Sequence, residues 1–257
     1  KLEWSRSQSP HSNCGKPHTH PHFFTNALRS AFLFNCQPEH VRITPRASSA
    51  VTDAQKQFRR QEILDGARTY FEAAGYEGFT MTQLATRLGI VKGTLYLYFP
   101  TKEAIILALY ARALEDWCEV MKVKLASPIA GDDFIQLFYD STINDPILIP
   151  ILTRLEHVIE HNISVELLVE AKRHFQACFA GIADKTQSAL GLAPEQAREL
   201  ILTLGILLSG ASQSDQSPSL EGEVLPQDVL EFIDSLSSER IFVTNGRRIL
   251  AGIRRGT

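Results

Sequence analysis

Common enzyme motifs are missing from this sequence of 257 residues. It holds no Gly-x-Ser-x-Gly motif, no phosphate-binding loop and no dinucleotide-binding glycine pattern, so none of these supports an enzymatic interpretation. No segment shows the alternation of polar and apolar residues that is typical of β-strands. The sequence therefore predicts an all-helical protein, and its function has to be sought in other motifs.

Cysteine is scarce and shows no ligand-like spacing. Cys14, Cys36, Cys118 and Cys178 include no Cys-x-x-Cys motif, which is typical of reduced thiols in a cytoplasmic protein. Cys118 and Cys178 fall within predicted helices. They are either buried small hydrophobic side chains or, if they meet in the folded protein, a redox pair.

The first 50 residues differ from the rest of the chain. They hold five of the eight histidines and show no sustained helical or strand period, so we expect residues 1–50 to be disordered or a non-native extension. The first methionine is Met81, so residue 1 is not expected to be the native initiator. Residues 23–36 are apolar in part but are interrupted by Asn26 and Arg29, and they make a poor signal peptide and are too short to span a membrane. We therefore expect a cytoplasmic protein.

Residues 80–102 predict two short helices joined by a turn. Thr80 followed three residues later by Gln83 is a capping-box pattern, and apolar residues then recur at helical spacing until Gly89. A second helix is predicted over residues 92–99, and the proline that follows ends it. The arrangement predicts a helix-turn-helix.

The second of these helices carries side chains that suit DNA. Lys92, Thr94, Tyr96 and Tyr98 supply an ammonium, a hydroxyl and two phenols, and Gly93 permits close approach of the backbone. Between Thr80 and Lys102 there are three cations and no acidic residue, which favours a phosphate surface as the partner. A DNA-binding regulator is therefore the leading hypothesis.

Three successive motifs, Lys92-Gly93-Thr94-Leu95-Tyr96, Tyr98-Phe99 and Thr101-Lys102-Glu103, resemble the N-terminal signature of the TetR family of bacterial transcriptional regulators. The resemblance covers about residues 56–110. It implies that the duplex is contacted by Thr82, Lys92, Gly93, Thr94, Tyr96, Tyr98 and Lys102. It also implies a homodimer, a small-molecule effector and no enzymatic activity.

Helical periodicity organises the remainder. A first helix is predicted from Thr52, paired with Gln55 in a second capping box, to about Ala74, and a long connecting helix from the Thr101 cap to about Leu125. Further helices are predicted over about 132–143, 147–161, 164–190, 195–212, 226–236 and 239–254. We thus predict an all-α fold with a three-helix helix-turn-helix DNA-binding domain in residues 51–100 and a helical effector-binding and dimerisation domain in residues 101–257.

Charge is distributed unevenly between these parts. Residues 126–257 carry ten Lys and Arg against eighteen Asp and Glu, a net charge of −8, whereas residues 51–125 carry ten against nine, a net charge of +1. The acidic residues 126–257, which together with the connecting helix are called the body below, repel DNA. Binding is therefore expected to be confined to one face of the N-terminal domain.

Residues 200–211 are apolar nearly all round, and a helix of this kind must be covered on several sides. Together with the last helix, which carries Ile241, Phe242, Ile249 and Leu250, they resemble the four-helix homodimer interface of TetR-like proteins, with burial inside one subunit as the alternative. A two-fold dimer places two recognition helices about one DNA turn apart, so a palindromic operator is predicted.

Apolar and aromatic side chains recur on the inner faces of the body helices and can line a ligand pocket or form ordinary core. The candidates for an effector pocket are Trp117, Met121, Phe134, Phe138, Tyr139, Leu155, Phe175 and Phe179. The TetR resemblance implies that an effector alters the spacing of the DNA-binding domains. The expected function is a repressor released from a palindromic operator by a small apolar effector.

One motif belongs to a different class of protein. His157, Glu160 and His161 match the His-x-x-Glu-His order of one group of zinc hydrolases, although no third ligand is identifiable. A zinc-binding protein or zinc hydrolase is therefore the alternative, and a polar helix face is the simpler interpretation. No metal, cofactor or catalytic residue is predicted with the regulator hypothesis.

Overall fold

The computed structural model describes residues 47–216 and 225–256, with side chains over 53–215 and 225–256. Within these ranges the chain forms ten α-helices and no β-strand, which confirms the all-α prediction. The helices are α1 (Ala47–Gly78), α2 (Met81–Arg87), α3 (Lys92–Tyr98), α4 (Lys102–Lys124), α5 (Gly131–Ile143), α6 (Leu148–Leu152), α7 (Val165–Leu190), α8 (Pro194–Ser212), α9 (Gln227–Ser235) and α10 (Ser238–Arg255). The expectations for residues 1–46 lie outside the described residues.

The first helix starts earlier than its sequence pattern predicts. It begins at Ala47, so the predicted start at Thr52 is wrong. Residues 47–51 contain two alanines and neither glycine nor proline, so no helix-breaking residue opposes extension of the helix back to Ala47. At the other end, Gly75 has φ 62° and ψ −175°, a conformation that favours glycine, and it breaks the helix where the sequence predicts.

The helix-turn-helix forms over the predicted residues. The Thr80 hydroxyl accepts a hydrogen bond from the backbone N–H of Gln83 at 3.3 Å, so half of the predicted capping box is present. The Gln83 side chain is engaged elsewhere, because it accepts a hydrogen bond from the Tyr70 hydroxyl. Gly89, with φ 64°, makes the turn into α3. The α2–α3 pair is therefore tied to α1 through Tyr70.

Helix α4 connects the helix-turn-helix to the rest of the chain. The Thr101 hydroxyl caps it by accepting the N–H of Ala104 at 3.0 Å, as predicted, and its 23 residues end at the Leu125 C-cap. At 1.5 Å per residue the helix is about 34 Å long. The Arg112 guanidinium pairs with the Asp65 carboxylate on α1 at 2.6 Å, so α4 is held against α1 near its middle.

The prediction of one helix over residues 147–161 is wrong. After α6, the chain makes a π-helical turn over Leu155–Ile159 and a 3-10 turn over Glu160–Asn162. The Thr153 hydroxyl donates to the Ile149 carbonyl, and the Ile159 N–H reaches the Arg154 carbonyl at 3.2 Å, five residues back. A side chain that competes for helical carbonyls favours such an interruption.

The other helices of the body follow their predicted bounds to within about two residues. Helix α8 buries Leu200, Leu204 and Leu208 but leaves Ile206 about half exposed. Helix α10 packs closely on α5 and α8 at Gly246, where an added Cβ would lie 2.9 Å from Ile135 and 3.3 Å from Leu204. In the described ranges, no helix is long and apolar enough to cross a membrane. The division of the chain at residue 100 stays a prediction.

Candidate nucleic-acid interface and helical body

Helix α3 presents a polar face outward from an apolar base. Leu95 and the C-cap residue Phe99 are fully buried, while Lys92 and Tyr96 are exposed, Tyr96 by 43%. The Lys92 ammonium lies 5.7 Å from the centroid of the Tyr96 ring. A Cβ added at Gly93 would have no neighbour within 4 Å, so the space beside this backbone is open. The helix can therefore place a cation, a phenol and bare backbone against a partner.

The base of α3 is supported by a second cation. The Arg60 guanidinium of α1 lies 4.4 Å from the Phe99 ring centroid. The backbone N–H of Phe99 donates to the Leu95 carbonyl at 3.0 Å and completes the last turn. These contacts fix the orientation of α3 relative to α1, so its exposed side chains are presented on a rigid element.

The remaining predicted DNA contacts differ in accessibility. Thr82 is exposed on α2, whereas Thr94 and Tyr98 are half-buried, and Tyr98 packs against the core. Lys102 is also half-buried: its ammonium donates to the Tyr76 carbonyl at 2.7 Å and lies 3.9 Å from the centroid of the Tyr76 ring. The structure thus places Lys102 in a contact between α1 and α4. Its predicted role at the duplex stays a prediction.

Tyr76 is not among the predicted site residues, yet it contacts residues of both α4 and the segment after α6. Its hydroxyl donates to the Glu103 carboxylate at 3.3 Å, and the Arg154 guanidinium lies 5.7 Å from its ring centroid. Burial, followed by the charge and hydrogen bond of Glu103, raises the pKa of Tyr76 to about 12. The phenol is therefore neutral at ordinary pH. An aromatic residue directly after the Gly75 break was the only signal in the sequence that could have indicated this role.

The predicted effector-pocket residues lie in the hydrophobic core, and Phe179 alone among them is half-buried. Trp117 and Phe138 meet edge to face at 5.1 Å, and Phe138 stacks on Phe242 of α10 at 5.7 Å. Phe175 packs separately, edge to face against Tyr110 at 5.3 Å. The structure therefore brings some of the eight residues together, and aromatic rings pack against them.

Polar groups within this cluster are satisfied by one another. The Trp117 indole N–H donates to the Ser141 hydroxyl at 2.9 Å, and that hydroxyl donates to the Phe138 carbonyl at 3.1 Å. The hydroxyls of Tyr139 and Ser238 lie 2.6 Å apart and join α5 to α10. Burial raises the pKa of Tyr139, because the charged phenolate is poorly solvated there. These polar side chains are hydrogen-bonded, as buried polar groups in a protein core usually are.

A surface cleft lies at a different place, between the start of α5 and the end of α10. Its volume is about 520 Å³, and it includes the Arg247 side chain, which lies 3.7 Å from the Asp132 carboxylate. The lining residues are Ala130, Gly131, Asp132, Arg247, Leu250, Ala251, Arg254 and Arg255. None of them belongs to the predicted effector pocket.

The His-x-x-Glu-His segment does not lie on the single helix that was predicted for it. His157 and His161 are exposed, and the His161 Nδ1 atom lies 2.8 Å from the Glu156 carbonyl oxygen. The Glu160 carboxylate pairs with the Lys172 ammonium at 2.6 Å. Across residues 53–215 and 225–256, no group of three or more His, Cys, Asp or Glu side chains is arranged to hold a metal ion.

Two regions of the chain match known families. Residues 63–109 match the family described as "Bacterial regulatory proteins, tetR family", and residues 111–233 match "Tetracyclin repressor-like, C-terminal domain". Both descriptions refer to one family of regulators, which is not enzymatic. Except for residue 110, the two matches together span α2 to α8, and they also include most of α9.

Curated relatives are similar over shorter stretches. The transcriptional repressor AcnR of Corynebacterium diphtheriae is 34% identical over 90 residues, which is 35% of this chain and 43% of AcnR. The repressor KstR of Rhodococcus jostii is 39% identical over 64 residues, covering 25% and 30% of the two chains, and the regulator RutR of Escherichia coli is 33% identical over 82 residues, covering 32% and 36%. The chain spans less than half the length of each of these relatives.

Two solved structures are similar to this chain at low sequence identity. FadR of Bacillus subtilis, in complex with stearoyl-CoA, has a TM-score of 0.45 and 20% identity, covering 77% of this chain and 98% of FadR. A TetR-family regulator of Mesorhizobium loti has a TM-score of 0.46 and 18% identity, covering 76% and 96%. The helix-turn-helix, the all-helical body and the two family matches agree, and the chain belongs to the TetR family of bacterial transcriptional regulators.

Proposed function

We propose that this protein is a cytoplasmic, homodimeric transcriptional repressor that binds a palindromic operator through α2 and α3 and leaves it when a small apolar effector binds the body. The observation that carries the proposal is the exposed face of α3, where Lys92, Gly93 and Tyr96 project from a helix fixed by buried residues. The acidic residues of the chain are concentrated in the body, which favours approach of DNA to this face alone.

Each exposed group on α3 has a chemically distinct use at a duplex. Lys92 can neutralise a phosphate and thereby release counterions. Tyr96 can donate to a phosphate or a base edge, and its ring can pack against a thymine methyl. Gly93 lets the DNA backbone come closer than a side chain would allow, because a Cβ at this position would point into open space. Thr82 on α2 adds a hydroxyl toward the flanking phosphates.

Dimerisation is proposed through α8 and α10. These helices pack on each other and bury their larger apolar residues, yet Ile206 of α8 remains exposed. Gly205 and Gly210 on α8 have no neighbour within 4 Å of an added Cβ, so both leave room for a second helix to approach. A two-fold axis along these helices would place two copies of α3 about one DNA turn apart.

The coupling between body and DNA-binding helices is proposed to run through Tyr76. Arg154, which follows α6, lies 3.8 Å from the Glu77 carboxylate, and Lys102 at the start of α4 binds the Tyr76 carbonyl. A movement of the segment after α6 would therefore act on the end of α1 and the start of α4 at one junction. An effector that favours the arrangement unable to bind operator lowers the affinity of the protein for DNA. By linkage, bound DNA lowers the affinity of the protein for the effector by the same factor.

Fluorescence anisotropy with duplex DNA from the region upstream of the gene tests the proposal, with scrambled duplex as the competitor and the salt concentration held fixed. The wild type is expected to prefer the upstream duplex, and Tyr96→Ala is expected to weaken that preference. Lys92→Ala and Lys185→Ala form a matched pair, since both lysines are exposed but Lys185 lies on α7. Equal losses in the two lysine variants would contradict α3 as the DNA-binding element.

A further inference from the structure

A pair of thiols lies where the connecting helix α4 crosses α7. Cys118 of α4 is 1% exposed and Cys178 of α7 is half-buried, and neither forms a disulfide. The Cys118 sulfur lies 3.8 Å from the Cys178 carbonyl oxygen, and the two thiols are close enough for each to shift the pKa of the other. The two residues are 60 positions apart in sequence, so the fold brings them together.

A histidine and several charges surround this pair. His174 lies one turn before Cys178 on α7, and its Nε2 atom is 3.7 Å from the Cys178 sulfur and 3.2 Å from the Ala111 carbonyl. From α4, Lys122, Glu115 and Glu119 face the thiols, and the Lys122 ammonium pairs with Glu119 at 2.6 Å. The Lys122 side chain also lies close to α7, because a Cβ added at Gly181 of that helix would be 3.2 Å from the Lys122 Cε atom.

The surroundings divide the two thiols into different chemical states. The hydrogen bond from Cys118 lowers the pKa of Cys178 to about 7, with His174 and Lys122 acting in the same direction and burial and Glu115 opposing them. The same hydrogen bond, together with burial, raises the pKa of Cys118. At neutral pH the accessible sulfur therefore has substantial thiolate character, and the buried sulfur keeps its proton.

We propose that Cys178 is a peroxide-reactive thiol and that Cys118 resolves it, so that oxidation forms a disulfide joining α4 to α7. The Cys178 thiolate attacks one oxygen of hydrogen peroxide, an S–O bond forms, the O–O bond breaks, and the departing hydroxide takes a proton to become water. The Cys118 sulfur then attacks the sulfenic sulfur; the S–S bond forms, the S–O bond breaks, and the hydroxide leaves with the Cys118 proton as a second water. Two thiols lose two electrons to the peroxide, which is reduced.

The order of the two cysteines follows from their accessibility. Peroxide reaches the half-buried Cys178 more easily than Cys118, and the nucleophile is the sulfur with the lower pKa. Cys118 lies in contact with the product of the first step, so it competes well with a second molecule of peroxide. The resulting bond covalently fixes the connecting helix to α7. It is independent of whether the protein binds DNA.

The experiment uses the full chain with Cys14→Ser and Cys36→Ser, which removes the two other cysteines. Hydrogen peroxide is expected to lower the intact mass by about 2 Da and dithiothreitol to restore it, with peptide mapping linking Cys118 to Cys178. In Cys118→Ser, dimedone should trap a sulfenic acid at Cys178, and without dimedone excess peroxide should oxidise it further to sulfinic acid, a gain of about 32 Da. Cys178→Ser should remain unmodified under the same conditions.

A measurement without substitution of either thiol protects the test from misfolding variants. The rate of alkylation of Cys178 by iodoacetamide should follow a titration with a midpoint near pH 7 in the folded protein, whereas thiols in the urea-unfolded chain should titrate near their ordinary pKa of about 8.5. His174→Gln should slow alkylation at pH 7 by about fivefold. Peroxide treatment that leaves both thiols free, or alkylation of Cys118 before Cys178 in the folded chain, would overturn the proposal.

Discussion

Helix α3 and the aromatic cluster of the body use the same residue types in opposite ways. On α3, Tyr96 is 43% exposed and stands beside buried Leu95. One turn of this helix therefore exposes a phenol on one side and packs into the core on the other. In the body, Tyr139 is buried and its hydroxyl is consumed by Ser238. An aromatic residue at helical spacing is therefore available to a partner where its neighbours leave it exposed, and it serves packing where other rings cover it.

The anchors of α3 provide the largest test of this comparison. Phe99→Ala removes a ring that is 1% exposed and lies beneath Arg60, so we expect a loss of about 3–5 kcal/mol in the free energy of unfolding. Leu97→Ala, on the same helix, removes a side chain that is 83% exposed and should change stability by less than about 0.5 kcal/mol. Urea denaturation followed by circular dichroism measures both. Similar losses in the two variants would mean that α3 is not anchored on one face.

Much of this region could be predicted from the sequence, because its signals are local. The Thr80 and Thr101 caps, the Gly75 break and the Gly89 turn act on backbone within a few residues, and each lies where the sequence predicts. The prediction of a helix start at Thr52 was wrong because it also relied on a local signal alone. A capping pattern marks a start only when the chain before it resists helix formation, and here it does not.

The assignment of body residues could not be predicted in the same way. Helical spacing places Trp117 and Phe138 on inner faces, but whether inner faces enclose a cavity depends on what fills the space between helices. Here Phe242, some hundred residues along the chain, stacks on Phe138, a contact that no local pattern indicates. Likewise, the position of Lys102 beside α3 predicts a phosphate contact, but nothing local in the sequence indicates that its ammonium also binds a carbonyl 26 residues earlier.

Gly93→Ala separates display from anchoring on α3. A Cβ at this position meets nothing within 4 Å, and alanine favours helix over glycine, so stability should be unchanged or should rise by up to about 1 kcal/mol. If DNA backbone approaches Gly93, the methyl group should weaken operator binding by roughly 1–3 kcal/mol, or about fivefold to about 150-fold. Anisotropy titration measures the affinity. An unchanged Kd in a stable variant would place the DNA contact away from this part of α3.

Tyr139→Phe tests the opposite pole, where the phenol serves packing. The substitution leaves the buried Ser238 hydroxyl without this partner, and we expect a loss of about 1–2 kcal/mol in the free energy of unfolding. Adding Ser238→Ala should restore part of that loss, since removal of both polar groups leaves neither unsatisfied. DNA affinity should be unaffected in both. A double variant as unstable as the sum of the two single variants would indicate that the hydroxyls do not interact.

The smallest expected effect distinguishes two lysines that the sequence presents as equivalent. Lys92 is exposed beside Tyr96, whereas Lys102 is held by the Tyr76 carbonyl and ring. Removing a lysine that neutralises one phosphate should reduce the slope of log Kd against log salt concentration by about 0.9. Lys92→Ala should show this change at unchanged stability.

Lys102→Ala should lower the free energy of unfolding by about 1 kcal/mol and change the slope less, because the Lys102 ammonium would have to leave two protein contacts to reach a phosphate. If the slopes fall equally, the Lys102 contact with Tyr76 opens on binding, and the junction between α1 and α4 is itself part of the DNA-bound arrangement.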